Sequence, residues 1–358
     1  MTISKIEWTD RSDWNPVRGC SRMSEGCRNC YAEVLAARFS KPGQWGHGFA
    51  KMVDGDHRWT GKVELQEGRL TLPLRWRKSA RIFVSSTSDI FHESLPNEAI
   101  DKIFAAMALC ERHTFQILTK RAGRMKSYVN RWFMRLAESN QIFPHPAGPT
   151  KINAMFDWAI MPSVLPNVWL GVSTEGQHEA DERIPLLLQT PAAVRFISAE
   201  PLIGPIDLNR IPRAPDADDR KMHGFVNVER FTTSALFGEP GLRMKDGREW
   251  FASAVENAPC LDWVIVGGES GSNARPFNIE WADDLVAQCS AADVPCFVKQ
   301  LGSMPMSDGY PLELRDRKGG DEAEWPERLN VRQFPQSAVR GSPVPIIKDQ
   351  NRKLSASN

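Results

Sequence analysis

The sequence has 358 residues, of which 41% are hydrophobic and 25% charged, and this composition excludes a wholly disordered or collagen-like chain. Its apolar runs are far shorter than the ~20 residues of a membrane helix, and its N-terminus carries no apolar signal core, so we expect a cytoplasmic protein with no membrane partner. The net charge of +1 hides an asymmetry, because residues 1–136 hold 23 Lys and Arg against 14 Asp and Glu. A basic N-terminal third is compatible with an anionic or nucleic-acid substrate, and equally with charges spread over a solvated surface.

Short apolar runs alternate with helical patterns along the chain. The runs are Arg81–Ser86, Phe115–Thr119, Val168–Ser173, Val194–Ser198, Trp263–Gly267 and Pro295–Lys299, with a weaker one at Trp14–Val17. Continuous apolar runs are typical of strands that are buried on both faces of a parallel sheet. The alternation predicts an α/β fold, a partial or complete (β/α) barrel of about six strands, with an open doubly wound sheet as the alternative.

Three segments interrupt the alternation. They lie at about 40–72, 137–166 and 205–258, and we predict that they are loop insertions in a barrel formed by residues 1–302. Each is rich in Gly or Pro, or is longer than a strand-to-strand crossover needs, and long loops in compact domains are usually functional or disordered. Residues 303–358 are predicted to form a C-terminal extension that ends in a polar tail.

Three of the seven cysteines lie close together in the sequence. Cys20, Cys27 and Cys30 follow a Cys-x6-Cys-x2-Cys spacing. Three thiolates on one loop can converge on one metal centre, and Gly19 and Gly26 allow tight folding of the backbone before two of them. A structural zinc site needs four ligands, so zinc would require His47 or His57 as well, whereas a [4Fe–4S] cluster on three cysteines leaves one iron open. The spacing favours the cluster, with zinc or unrelated thiols as alternatives. The other four cysteines have apolar neighbours and are predicted to be buried.

Polar residues follow nearly every predicted strand. They include Ser86, Asp89, Lys120, Ser173, Glu175, Glu200, Gly267, Gly268, Glu269 and Lys299. The carboxyl ends of parallel strands meet at one edge of the sheet, where α/β proteins bind their ligands. Any one of these residues alone is typical of a cap or turn, but together they predict a binding site.

Several blocks of the sequence occur in an order that resembles a known family. The blocks are Trp14–Ala32, Ser85–His92, Ile117–Arg121, Val168–Ser173, Arg195–Leu202, Trp263–Gly271 with Ala274–Pro276, and Phe297–Gly302. In these blocks the chain resembles the phage Gp37/Gp68 family, the three-Cys-motif proteins, which is similar to radical S-adenosylmethionine enzymes. The resemblance extends from about residue 5 to 302. Three features depart from the radical enzymes: six residues rather than three separate Cys20 from Cys27, Asn29 stands where an aromatic residue is usual, and the Gly-Gly-Glu of Gly267–Glu269 follows a late strand instead of the second.

The resemblance implies a radical S-adenosylmethionine-type enzyme that modifies or repairs a substrate, for which nucleic acid is the candidate. Cys20, Cys27 and Cys30 would hold a [4Fe–4S] cluster whose open iron binds S-adenosylmethionine. The residues expected to contact this cofactor or the substrate are Ser86, Asp89, Lys120, Ser173, Glu175, Glu200, Gly267, Gly268 and Glu269. An electron donor and a three-Cys-motif partner protein are also implied, in the cytoplasm of a bacterium or a phage-infected host. The alternative is a zinc-stabilised nucleic-acid-binding protein, or a phage or defence accessory protein, without catalysis.

Overall fold

The computed structural model describes residue 4 and residues 6–138, 164–213, 228–251 and 258–336, with the backbone alone for 132–138, 228–230 and 250–251. The α-helices in this part of the chain are α1 Tyr31–Arg38, α2 Asn97–Ala108, α3 Ala122–Glu138, α4 Gln177–Leu188 and α5 Ile279–Ala291. The strands are β1 Val17–Arg18, β2 Ala50–Val53, β3 Asp56–Trp59, β4 Glu64–Leu65, β5 Arg81–Val84, β6 Thr114–Thr119, β7 Val168–Ser173, β8 Val194–Ala199, β9 Ile211–Pro212, β10 Val228–Thr233, β11 Pro240–Met244, β12 Glu249–Phe251, β13 Trp263–Gly267, β14 Phe277–Asn278, β15 Cys296–Gln300, β16 Pro305–Ser307 and β17 Tyr310–Pro311. Short 3-10 turns lie at Glu25–Cys27, Glu67–Arg69, Pro73–Arg75, Glu322–Glu324 and Glu327–Leu329.

A six-stranded parallel sheet is the centre of the fold. Its strand order is β5-β6-β7-β8-β13-β15, and every neighbouring pair is parallel, as the registers Ile82↔Phe115 and Ile117↔Leu170 illustrate. The sheet curls into a half-barrel. A helix lies between successive strands except between β8 and β13, where the described residues form the strands β9–β12. The predicted α/β class and a partial barrel of six strands are thus confirmed. The weak run at Trp14–Val17 does not join this sheet; instead, β1 pairs with β4.

Alternate residues of each strand face two different cores. One face packs against the helices, where Ile100, Ile103 and Phe104 of α2 are buried at helical spacing. The concave face packs an aromatic cluster formed by Trp8, Trp169, Phe196, Trp263 and Phe297. Because both faces are covered, the strands are mostly apolar rather than alternating, and all six residues of β7 are buried.

The two chain ends border the two edges of the half-barrel. At the β5 edge, Arg11 forms a parallel bridge with Ile82, and Trp8 fills the concave face against Trp263, with ring centroids 6.1 Å apart. At the β15 edge, Arg332 forms an antiparallel bridge with Phe297. Phe334 then packs its ring 5.2 Å from that of Phe297 and 4.2 Å from the guanidinium of Arg81 on β5. Residues from both ends therefore fill the space between the first and last strands.

The predicted insertions lie outside the six-stranded sheet where they are described. Residues 40–72 contain the β2–β3 hairpin and β4, and residues 205–258 contain the antiparallel sheet β12-β11-β10-β9. The prediction for 137–166 falls almost wholly outside the described residues. Part of the C-terminal extension packs on the barrel, because Trp325 and Leu329 belong to the main core. None of the helices in the described ranges combines the length and apolar character needed to cross a bilayer.

Candidate functional site

Residues 19–30, the three-cysteine loop, lie across the carboxyl ends of the sheet strands. Ser24 Oγ donates a hydrogen bond to Glu175 Oε1, just beyond β7, at 3.0 Å. Asn29 Nδ2 donates to Glu269 Oε2, just beyond β13, also at 3.0 Å. Directly after the loop, the hydroxyl of Tyr31 donates to the carbonyl of Ser86 beyond β5. We call the surface formed by this loop and the carboxyl ends of the six strands the mouth of the half-barrel.

Two glycines permit this close docking. Gly19 adopts φ +88°, and a Cβ there would lie 2.0 Å from the carbonyl oxygen of Lys62. At Gly26 a Cβ would lie 2.4 Å from the side chain of Glu175. Both positions therefore require glycine, since an atom added at either would overlap its neighbour.

The three cysteines are half-buried and influence one another electrostatically. Burial and, to a smaller extent, the negative charge of Asp89 together raise the pKa of the Cys20 thiol to about 12, although Arg121 opposes the shift. Burial also raises the pKa of Cys30, and Cys27 adds to that effect. No group of three His, Cys, Asp or Glu side chains that could hold a metal ion occurs among the described residues. His47 and His57, the predicted fourth zinc ligands, do not complete such a group either.

A buried arginine contacts the first cysteine of the loop. Arg121, 4% exposed, donates from Nη2 to Ser21 Oγ at 2.8 Å, and its Nη1 lies 4.0 Å from Cys20 Sγ. The same guanidinium binds Asp89 at 3.1 Å and Glu93 at 2.8 Å. Asp89 also accepts a hydrogen bond from Thr119, so the carboxylate connects the end of β6 to the loop after β5.

Glu175 is a completely buried carboxylate beneath the loop. It forms ion pairs with Lys120 and, at 2.9 Å, with Arg183 of α4, and it accepts the hydrogen bond from Ser24. A buried carboxylate needs such partners, because burying an unpaired charge is very unfavourable. Burial lowers the pKa of Lys120 to about 8.

Glu269 supports the other end of the loop. Its carboxylate accepts two hydrogen bonds from the guanidinium of Arg275, at 2.8 and 3.0 Å, besides the one from Asn29. Arg275 also donates to the carbonyl of Glu25 at 2.8 Å. Burial alone would raise the pKa of Glu269, but these hydrogen bonds outweigh it and lower the pKa. The neighbouring Gly268 allows close approach of β15, since a Cβ there would lie 2.4 Å from the carbonyl oxygen of Leu301.

Glu200 and Lys299 form an ion pair that faces the concave side of the mouth. Trp263 and Ile265 of β13 belong to the concave cluster, and Gly267, which continues their alternation, lies against Glu200. Glu200 Oε1 lies 2.5 Å from Lys299 Nζ, and the side chains are 19% and 16% exposed. The pair reaches across the intervening strand at Gly267, where a Cβ would lie 3.4 Å from Glu200 Cγ.

The remaining predicted residues have mixed surroundings. Ser173 is buried, and its carbonyl accepts a hydrogen bond from Arg183. Ser86 Oγ donates to the carbonyl of Ser12 at 3.0 Å. All the predicted positions thus lie at the mouth. The carboxylates of Asp89, Glu175 and Glu269, however, already accept hydrogen bonds from other residues of the protein.

Three contact residues were not predicted from the sequence. Asn29, Arg183 and Arg275 bind the carboxylates that support the three-cysteine loop. Arg275 lies in a block that carries the resemblance, between Ala274 and Pro276, which was an available signal. Arg183 lies inside a charged helix, where the sequence pattern does not separate it from solvent-exposed arginines.

The comparisons with known proteins identify a family without assigning an activity. Residues 3–339 match the family described as "Protein of unknown function (DUF5131)". No curated protein and no solved structure matches the chain significantly. Because the match spans nearly the whole sequence, the chain belongs to the DUF5131 family.

Proposed function

We propose that this protein is a radical S-adenosylmethionine-type enzyme in which Cys20, Cys27 and Cys30 hold a [4Fe–4S] cluster. The observation that carries the proposal is the position of the three-cysteine loop across the carboxyl ends of a parallel half-barrel. Ligands of α/β sheets bind at this edge, so a reactive centre on the loop would face a substrate held by the strand ends.

The donor set supports the proposal, although its present placement is not that of a formed metal site. Three thiols occur on one short loop, which is the type of ligand that iron–sulfur clusters require. No three acidic, His or Cys side chains among the described residues are grouped to hold a metal, so cluster binding requires the cysteine side chains to move together. Ligand rearrangement is compatible with metal binding because the site and the bound metal commonly form together.

Other residues of the chain hold the three-cysteine loop in place and are available to orient a ligand. Arg121 holds the Cys20 end of the loop, whereas Glu175 and Glu269 hold its middle and its Cys30 end. When bound, the cluster would supply the single electron that cleaves S-adenosylmethionine. The Glu200–Lys299 pair is a charged pair on the concave side and is available to orient a bound molecule.

The first prediction concerns metal content. Protein purified without oxygen should contain about four irons per chain and, once reduced, give a paramagnetic resonance signal that S-adenosylmethionine changes. Replacing any one of Cys20, Cys27 and Cys30 by serine should remove most of the iron, because each thiolate is a ligand. The matched control is Cys260→Ser, since Cys260 is also half-buried but lies outside the loop.

Two other results would contradict the proposal. One zinc per chain with no iron would make the three-cysteine loop a structural zinc site. Equal iron in the wild type and in all three loop variants would place any iron elsewhere in the chain.

A further inference from the structure

The Glu200–Lys299 pair presents a hydrogen-bond acceptor beside a donor. The ammonium of Lys299 has three N–H groups, and the single hydrogen bond to Glu200 leaves the others for a ligand. The carboxylate of Glu200 likewise has more acceptor sites than this one bond uses. A ligand can therefore bind both groups without separating the pair.

The ligand that fits must carry an acceptor and a donor side by side on one edge. The trans amide of a peptide backbone does not, because its C=O and N–H point in opposite directions. The Watson–Crick edge of a nucleobase does, and enzymes that act on unpaired bases bind this edge together with the ring face.

An aromatic face is present at the same mouth. The side chain of Tyr31 is 52% exposed, and its hydroxyl is fixed to the carbonyl of Ser86. Tyr31 lies two residues after Asn29, which contacts Glu269 just beyond β13, the strand between those that carry Glu200 and Lys299. An exposed ring held in place offers a stacking surface, and base–aromatic stacking tolerates any base.

We infer that the mouth binds an unpaired nucleobase, with Glu200 and Lys299 contacting its Watson–Crick edge and Tyr31 its face. This inference rests on the proposed function, because it takes the mouth to be the substrate site. The two side chains meet across β13 at Gly267, where a Cβ would be in ordinary van der Waals contact with Glu200. The basic N-terminal third of the chain, with 23 Lys and Arg against 14 Asp and Glu, is favourable for a nucleic-acid strand.

The test is equilibrium binding of a fluorescent single-stranded dT12 oligonucleotide by the full chain, without reductant. The wild type should bind dT12 at least tenfold more tightly than the same strand carrying N3-methylthymine, which lacks the N–H of that edge, or than dT12 paired with dA12. Glu200→Gln and Lys299→Met should each weaken dT12 binding about tenfold.

The matched control is Asp207→Asn, which breaks another carboxylate–cation pair, the exposed Asp207–Arg210 bridge, and should leave binding unchanged. Equal affinity for dT12 and the N3-methyl strand, or no binding of dT12 by the wild type, would overturn the inference. It would also be overturned if the Glu200 and Lys299 variants lost binding of S-adenosylmethionine but kept that of dT12. Iron content, measured on the same samples, reports separately on the proposed function.

Discussion

Single glycines at the mouth decide whether the three-cysteine loop can dock. Gly26 lies against Glu175, and that carboxylate cannot move away freely because Lys120 and Arg183 hold it. Gly26 therefore cannot be replaced by a residue with a side chain without a clash, whereas a glycine that faces open space can. This contrast makes the docking of the loop testable by adding one methyl group.

We predict that Gly26→Ala lowers the free energy of unfolding by about 1–3 kcal/mol, as overpacked sites generally do. Gly68→Ala is the control, because a Cβ at Gly68 meets nothing within 4 Å and its φ is not positive; it should change stability by less than about 0.5 kcal/mol. Denaturant unfolding measures both. Hydrogen exchange of residues 24–30 should rise in Gly26→Ala alone, and equal exchange in the two variants would refute the docking role of Gly26.

At the scale of single residues, the sequence predicted which positions lie at the mouth, but not which residues form ion pairs there. Asp89, Glu175 and Glu269 all lie at the mouth, as expected from their places after strands. The ion pair of Asp89 with Arg121 joins residues 32 positions apart, which no local spacing indicates. Glu175–Arg183 and Glu269–Arg275 are only eight and six positions apart, but neither spacing is the i, i+3 or i, i+4 repeat that would indicate a pair on a helix. The predicted contact of the three carboxylates with a cofactor stays a prediction, as does cluster binding by the cysteines.

The helices and strands follow the sequence pattern closely. The apolar runs predicted all six strands of the half-barrel within a residue or two, because burial on both faces leaves a strong signal. The pairing of Arg11 and Arg332 with the two edges of the sheet was not predicted. Arg11 and Arg332 each pair through isolated bridges, which are too short to produce any periodicity.

Two glycines within these elements should respond oppositely to alanine. Gly123 is the second residue of α3, where a Cβ would lie 3.9 Å from Leu186, an ordinary contact. Gly123→Ala should therefore raise the free energy of unfolding by up to about 1 kcal/mol, since glycine is a poor helix former.

Gly171 of β7 is the opposing case, because a Cβ there would lie 2.5 Å from the ring of Phe196 in the concave cluster. Gly171→Ala should lower the free energy of unfolding by about 1–3 kcal/mol. Denaturant unfolding of both variants measures the contrast. If Gly171→Ala were neutral, the concave face would not be packed as described.

On the scale of the whole molecule, buried histidine makes stability depend on pH. His113 is 1% exposed, and its Nε2 lies 3.1 Å from the carbonyl oxygen of Pro73. Burial lowers the pKa of His113 below its ordinary value of 6.5, more than the hydrogen bond to Pro73 restores it. The unfolded chain therefore takes up a proton at a higher pH than the folded one does.

From this difference we predict that His113 has no effect on the free energy of unfolding well above pH 6.5. Below pH 6.5 the free energy of unfolding should fall as the pH falls, by at most about 1.4 kcal/mol per pH unit. Unfolding midpoints at pH 8 and pH 5.5 measure the loss. His113→Gln should reduce the loss, whereas substitution of the exposed His47 by glutamine should leave it unchanged. A greater loss of stability at pH 5.5 in His113→Gln than in the wild type would contradict a lowered pKa of His113 in the folded chain.

Phe334, which contacts Arg81 and Phe297, is synthesised after all six strands of the sheet. The sixth strand ends at Gln300, so the whole sheet has been made before the residue that completes its concave side. At ribosomal speeds of ~5–20 residues per second, about 2–7 s separate the two. For those seconds the nascent sheet has an apolar concave side, and the outer edge of β15 has not yet met Arg332, so both are open to other chains.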